Sequence, residues 1–322
     1  MDRLAVPRTR AEIRRTLKAL SLRPSRRLGQ NFLADPGVLA RIVAAAAPRP
    51  GDLVLEVGPG LGGLTEAVVA TGASVLAVEI DPVLAAFLKA VFAEDPRVRV
   101  IEADALDGRG GLGADLIEAL GECVNDRDSR AGSRPPPRES TGLQPGRLLF
   151  VANLPYSAAT PLVQALLQRE PPPDEMVIMV QREVADRIRA VPGSRDFGPL
   201  SVLVQAVARV RSVVAVRKES FHPVPEVASS VLRVTPDPAL RRAAGDIGRL
   251  TALLHAGFAM RRKTLGNNLA KAGVAAETLR GAGVDPGRRG ETLSPAEWIA
   301  LAAALPPLAS RGGAGEDPPS PR

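Results

Sequence analysis

The chain has 322 residues, 45% apolar and 24% charged, which is enough for two compact domains with a sizeable core. No apolar run approaches the roughly 20 residues of a membrane span, and the polar, Arg-rich start lacks the apolar stretch of a secretory signal, so a cytoplasmic protein without membrane association is expected. One cysteine, Cys123, excludes an intramolecular disulfide, and two histidines without a cysteine cluster leave no metal site by spacing.

Charge is unevenly placed along the chain. Residues 1–27 carry nine Lys/Arg against Asp2 and Glu12, an excess equal to the net +7 of the whole chain. Residues 236–308 are basic again, so a mildly acidic middle is flanked by basic ends. This distribution suits a polyanionic partner, through phosphate neutralisation and counterion release, against the blander reading of a solubilising tail.

In chain order, the first strand is predicted at Leu53–Val57, followed by a helix over Leu61–Ala70, a strand at Ser74–Glu79, and a helix over Pro82–Phe92 with its proline in the first turn. Strands follow at Val98–Glu102 and Leu148–Ala152. Further apolar runs at Glu175–Val180 and Ser230–Val234 read as strands, while Val202–Val216 is a long run that pattern does not divide. Alternating strands and helices argue for a largely parallel sheet covered on both faces. Asp107–Arg147, with its Arg-, Ser-, Gly- and Pro-rich stretch Asn125–Gly146, cannot form a core of its own and reads as a flexible insertion keeping at most a short helix at Ala114–Leu120. After Thr235-Pro236-Asp237-Pro238 every segment looks helical: Asp246–Ala259, Lys263–Lys271, Ala275–Gly281 and Pro295–Ala304. The expected organisation is a basic extension over 1–27, an α/β domain over 28–235, a small all-helical domain over 236–308, and a disordered tail over 309–322.

The chemistry sits at predicted strand ends. Gly58-Pro59-Gly60-Leu61-Gly62-Gly63 follows the first strand and opens a helix, the arrangement in which main chain lies against a ligand without side-chain obstruction. Glu79 ends the second strand and can accept from both hydroxyls of an adenosine ribose, a feature common to nicotinamide and S-adenosylmethionine sites. Asp104, with its neighbour Ala105, follows the third strand and can accept from an adenine amine. The fourth strand runs into Asn153-Leu154-Pro155-Tyr156, which holds the only tyrosine of the chain. An amide oxygen from Asn153 and the Leu154 carbonyl can accept both N–H bonds of an exocyclic amine, Pro155 contributes no competing N–H, and Tyr156 can stack on the base. Four such strand ends together favour S-adenosylmethionine over a nicotinamide, and no hydride-transfer constellation follows downstream. Phe221, in Phe221-His222-Pro223-Val224-Pro225, offers a second aromatic for the other face of the base, with core packing as its alternative.

These residues resemble the ribosomal RNA adenine N6-dimethyltransferase family, in particular its small-subunit members. The resemblance runs from about Arg27 to Leu301 and includes Leu28-Gly29-Gln30-Asn31-Phe32-Leu33, Asn153–Tyr156, Phe221–Ser229 and Arg261–Leu269. It implies a Rossmann-like S-adenosyl-L-methionine-dependent methyltransferase fold with a helical C-terminal domain. It also implies cofactor contacts at Asn31, Leu33, Gly58, Gly60, Glu79, Asp104, Ala105 and Asn153, and a catalytic set of Asn153, Leu154, Pro155, Tyr156 and Phe221. The implied substrate is a pair of adjacent adenines near the 3′ end of 16S ribosomal RNA in the small subunit, and the implied state is a monomer. The alternatives are a macrolide-resistance enzyme acting on large-subunit RNA, disfavoured by Arg261–Leu269, and a non-catalytic assembly factor, disfavoured by the intact cofactor residues.

Overall fold

The computed structural model describes residues 5–130 and 146–305. Internal packing separates two units: the first takes the chain up to Arg189 together with Val207–Pro238, and the second takes Ala190–Ala206 together with the residues from Ala239 onward.

In the first unit the elements run α1 (Arg10–Ala19), β1 (Phe32–Leu33), α2 (Pro36–Ala46), β2 (Leu53–Val57), α3 (Gly63–Val69), β3 (Ser74–Glu79), α4 (Pro82–Val91), β4 (Val98–Glu102), α5 (Ala114–Arg130), β5 (Leu148–Asn153), α6 (Ala159–Gln168), β6 (Glu175–Gln181) and α7 (Arg182–Arg189). After α8 (Pro199–Val207) the chain re-enters this unit as β7 (Ala208–Val216), β8 (Phe221–His222) and β9 (Ser229–Pro236). Seven strands form one sheet in the order β4-β3-β2-β5-β6-β9-β7, parallel from β4 through β6, with β9 antiparallel to both its neighbours. Strands β2, β5 and β6 are buried almost throughout, because helices cover a parallel sheet on both sides. Val38, Ile42 and Ala46 of α2 and Leu64 and Val68 of α3 form one core with Val54, Val75, Leu149 and Val177 of the strands.

This order places the site. From β2 the chain steps outward through β3 to β4, then returns to pair β5 on the other flank of β2, so the loops after β2 and β5 diverge from adjacent strand ends. Such a switch point opens a crevice at the carboxyl edge of the sheet, between the glycine loop and Asn153–Tyr156.

The basic N-terminal extension is folded. Thr9 and Glu12 form a reciprocal capping box at the start of α1. Ile13 and Leu17 are buried with Phe32, Leu61, Leu84, Phe87 and Leu88. The expected insertion is also more structured than its composition suggested: α5 reaches Arg130, and Leu116, Ala119 and Leu120 are buried where it packs beside β2 and β3. The polar part of that stretch over 131–145 lies outside the described residues, as does the tail over 309–322. On the far side of it, Arg147 resumes the fold by placing its guanidinium 2.6 Å from the buried Asp52 and donating to the Ala47 carbonyl at 2.7 Å.

The second unit contains α8, α9 (Pro238–Ala244), α10 (Ile247–Gly257), α11 (Leu265–Ala270), α12 (Ala276–Gly281) and α13 (Pro295–Ala304). Buried Trp298 stacks on Phe258 at a centroid distance of 5.3 Å. Residues 190–206 belong here and not to the α/β domain expected over 28–235. The main-chain N–H of Gly193 donates to the Glu291 carbonyl, and Arg261 donates to the Ser194 carbonyl, so this segment finds its partners within the helical unit. The undivided run Val202–Val216 therefore holds the end of a buried helix, α8, and the whole of strand β7.

Candidate active site

The cleft at the carboxyl edge of the sheet is lined by Asn31, Leu33, Gly58, Gly60, Glu79 and the tetrapeptide Asn153–Tyr156. Its floor is shaped by glycines. Gly58 and Gly60 have φ of 69° and 60°, and a Cβ on Gly58 would stand 3.2 Å from the Pro155 ring. The glycine loop thus rests directly on the tetrapeptide, at a backbone conformation that other L-residues adopt only with strain.

Glu79, buried at the end of β3, accepts from the N–H of Gly60 at 3.1 Å and of Asp81 at 3.0 Å. Each carboxylate oxygen keeps a further lone pair for a ligand hydroxyl. Burial pushes the Glu79 pKa up against these hydrogen bonds. Glu56, two residues before the glycine loop, is wholly enclosed. It accepts from the Thr65 hydroxyl at 2.7 Å, and its pKa is pushed up to about 8, first by burial. Two carboxyls held away from water at one cleft make a setting that a bound cation relieves. That donor set, with its open glycine floor, fits an adenosine bearing a positively charged sulfur.

The tetrapeptide is held by the N-terminal signature. Asn153 donates its Nδ2 to the Asn31 carbonyl at 3.2 Å, and Asn31 donates its own Nδ2 to the Gly29 carbonyl at 3.2 Å. A Cβ on Gly29 would meet the Tyr156 amide nitrogen at 3.0 Å. The Asn153 amide is therefore oriented: its nitrogen is engaged and Oδ1 remains its acceptor at the cleft. Leu154 donates its N–H to Met179 of β6, and the Pro155 carbonyl accepts from Ala158 and Ala159 ahead of α6. The Tyr156 hydroxyl is buried without a hydrogen-bond partner. Burial raises its pKa, and Ser229 opposes the rise.

Three of the expected residues lie outside the cleft lining. Asp104 follows β4 beside the end of β3, where the Ala103 N–H donates to the Glu79 carbonyl, and its Oδ1 accepts from Leu106. Ala105 next to it is buried. Phe221 is the correction. It is 1% exposed and packs in the core with Val216 and Val231, because β8 pairs it with Leu33. It does not line the cleft, and its loop exposes Val224 (50%) and Val227 (41%).

Sequence reasoning also missed four contributors. Pro7 and Ile13 bring the N-terminal segment into the cleft wall. Gln30 joins the signature to Asp81, donating to its Oδ2 at 2.9 Å, while Oδ1 of Asp81 caps α4. Glu56 was visible only as one more residue of an apolar strand.

Among the described residues no cluster of acidic, Cys or His side chains is arranged to hold a metal ion, and no helix is long and apolar enough to cross a membrane. A solved dimethyladenosine transferase from Plasmodium falciparum, 21% identical, superposes with a TM-score of 0.62 over 84% of this chain and 95% of its own length, which shows the shared fold. The 23S rRNA methyltransferase ErmE, 26% identical, superposes at 0.53 over 85% of this chain and 99% of its own. Two curated proteins named ribosomal RNA small subunit methyltransferase A are closer in sequence. That of Anaeromyxobacter sp. (strain K) is 42% identical over 89% of this chain and 95% of its own, and that of Geobacter metallireducens is 38% identical over 92% and 100%. The family model described as ribosomal RNA adenine dimethylase matches residues 22–305. The α/β Rossmann-like sheet, the cleft at its switch point and this match across most of the sequence agree: the chain belongs to the ribosomal RNA adenine dimethylase family.

Proposed function

We propose that this protein transfers methyl groups from S-adenosyl-L-methionine to the N6 amines of two adjacent adenines near the 3′ end of 16S ribosomal RNA in the small subunit, as a cytoplasmic monomer with a role in ribosome biogenesis. The observation that carries this reading is the orientation of Asn153, whose Nδ2 is spent on the Asn31 carbonyl so that Oδ1 is left to accept. The small-subunit methyltransferases that resemble this chain at 38 to 42% identity favour that substrate over the large-subunit RNA named for ErmE.

The cofactor supplies an activated methyl on a cationic sulfur. The main chain at Gly58 and Gly60 would leave room for it, Glu79 would accept from the ribose, Asp104 and Ala105, beside the cleft at the end of β4, would meet the adenine, and Asn31 and Leu33 would close the remaining side. An adenine amine has its lone pair delocalised into the ring. With Oδ1 of Asn153 and the Leu154 carbonyl accepting its two N–H bonds, the nitrogen is drawn toward sp³ geometry and aimed. Asn153 is not basic, so it orients and stabilises, and the proton leaves to water. Tyr156 stacks on the base, which must be single-stranded or flipped out to reach it.

The test is incubation with isotopically labelled S-adenosylmethionine and small subunits lacking the modification, followed by mapping of the label. Label on adjacent adenines near the 3′ end of 16S RNA is expected. Label on large-subunit RNA, or none, overturns the reading.

A further inference from the structure

Helix α1 ends before residue 22, where the match to the family model begins, and one line along it carries only cations. Ile13 and Leu17 face the core. Arg10, Arg14 and Lys18 recur at every fourth position beside that buried stripe, and all three are exposed. Like charges spaced four apart repel on a helix. Arg10 also stands in the first turn, where the helix dipole disfavours a cation.

Among the described residues, none of the three makes an ion pair. By contrast Arg8, just before the helix, is bound to Glu66 of α3 at 3.0 Å, and Arg26 stands 3.9 Å from Glu226. The row has a definite neighbour. Arg10 and Arg14 act on His222, lowering its pKa in addition to the effect of burial, and α1 packs against β8, which contains His222. His222 in turn pairs with Phe32, one residue from Asn31, whose carbonyl holds Asn153. A row of like charges that repel one another, beside the strand that pairs with the cleft-lining Phe32, is explained by an anion supplied from outside.

We propose that Arg10, Arg14 and Lys18 form a phosphate rail that holds the RNA backbone flanking the target adenine, independently of base sequence. A row of exposed cations spaced four residues apart, about 6 Å along the helix, can track a sugar–phosphate strand, and phosphate contacts position without specifying. This deepens the proposed function and rests on it for the identity of the adenine.

The test uses the full chain with Arg10→Gln, Arg14→Gln and Lys18→Gln combined, which keeps helix propensity and removes charge. Arg8→Gln, a cation already paired within the fold, is the control. Binding of a naked ribosomal RNA transcript is measured over a series of salt concentrations, alongside S-adenosylmethionine affinity and thermal melting. Removal of three phosphate contacts is expected to lower the slope of log affinity against log salt by about 2 to 3, with affinity at low salt falling roughly 10- to 100-fold. Cofactor affinity should stay as in the unaltered chain, melting should stay the same or rise slightly as the repulsion along α1 is relieved, and Arg8→Gln should change the slope by less than about 1.

An unchanged slope overturns the rail. So does a loss confined to intact subunits with naked RNA unaffected, which assigns the row to an acidic ribosomal protein. A parallel loss of cofactor affinity and melting temperature also overturns it and leaves α1 as a wall of the cleft. If the unaltered chain fails to label 16S RNA while the slope still drops, the functional reading fails and the rail stands. Correct labelling with an unchanged slope gives the reverse.

Discussion

The two halves of the cleft are built differently. On the side proposed for the cofactor, side chains are tied to main chain: the Glu79 carboxylate receives two backbone N–H groups, the Asn31 and Asn153 amides donate to the Gly29 and Asn31 carbonyls, and the glycine loop lies on the Pro155 ring. On the side proposed for the base, Tyr156 has a buried hydroxyl without a hydrogen-bond partner, and outside the cleft lining Phe221 is turned into the core while its loop exposes apolar Val224 and Val227. The first half is preorganised by its own hydrogen bonds. The second has fewer such ties. A small cofactor of fixed shape suits a rigid seat, whereas a base extruded from RNA brings its own stacking and hydrogen-bonding groups.

Asn153→Ala tests where the two halves meet and should give the largest effect. Methyl transfer should fall by about 100- to 1,000-fold, the scale for removing one oriented polar group from an active site, while calorimetric cofactor binding stays measurable. Comparable loss of both would show that the halves are not separable. Gly58→Ala probes the rigid half alone. A Cβ 3.2 Å from Pro155, at a φ of 69°, should cost about 1 to 2 kcal/mol of stability and weaken cofactor binding. Unaltered denaturant melts together with unaltered binding would remove the glycine floor from the account.

Glu56→Gln sharpens the comparison through pH. The folded-state pKa of Glu56, about 8, lies above its ordinary 4.5. Folded protein therefore holds a proton that unfolded chain releases, and the stability contributed by this group is full below about 4.5 and declines as pH rises toward about 8. The substituted protein should melt a few degrees higher than the unaltered one at pH 8.5 and about the same at pH 4, in a scan without cofactor. A difference that grows toward acid would reverse the assignment. The smallest effect is expected from Tyr156→Phe. Losing an unpartnered buried hydroxyl should change stability by less than about 1 kcal/mol and leave transfer nearly intact, whereas Tyr156→Ala should lose the roughly 1 to 3 kcal/mol of base stacking. A large loss from Tyr156→Phe would show that the hydroxyl binds substrate.

The rigid half was the legible half. Glycines at a strand end and acids at Glu79 and Asp104 are short-range signals: each follows an apolar run by a fixed step, and parallel pairing brings the steps to one edge. Asn153–Tyr156 could be read for the same reason. Phe221 could not. Its burial depends on pairing with Leu33, almost two hundred positions away, and its flanking prolines suggested an exposed loop as readily as a strand. Residues 190–206 misled similarly, since an apolar run shows that a segment is buried but not which core receives it. Helix α1 was hidden by composition: nine cations drew attention to charge, while Ile13 and Leu17, four positions apart, carried the fold.

The small ribbon of β1 and β8 has a consequence for how this protein is made. Leu33 finds its partner only when Phe221 has been synthesised, and the Ala34 N–H waits likewise for the carbonyl of Ser220. At a synthesis rate of about 5 to 20 residues per second, the signature segment emerges many seconds before the strand that fixes it. Until then Asn31 lacks the anchored backbone from which it orients Asn153. A nascent chain halted before Phe221 thus holds every strand end that forms the cofactor seat, yet not the tie that sets the amide. Competence arrives late in translation, with the last strands of the sheet.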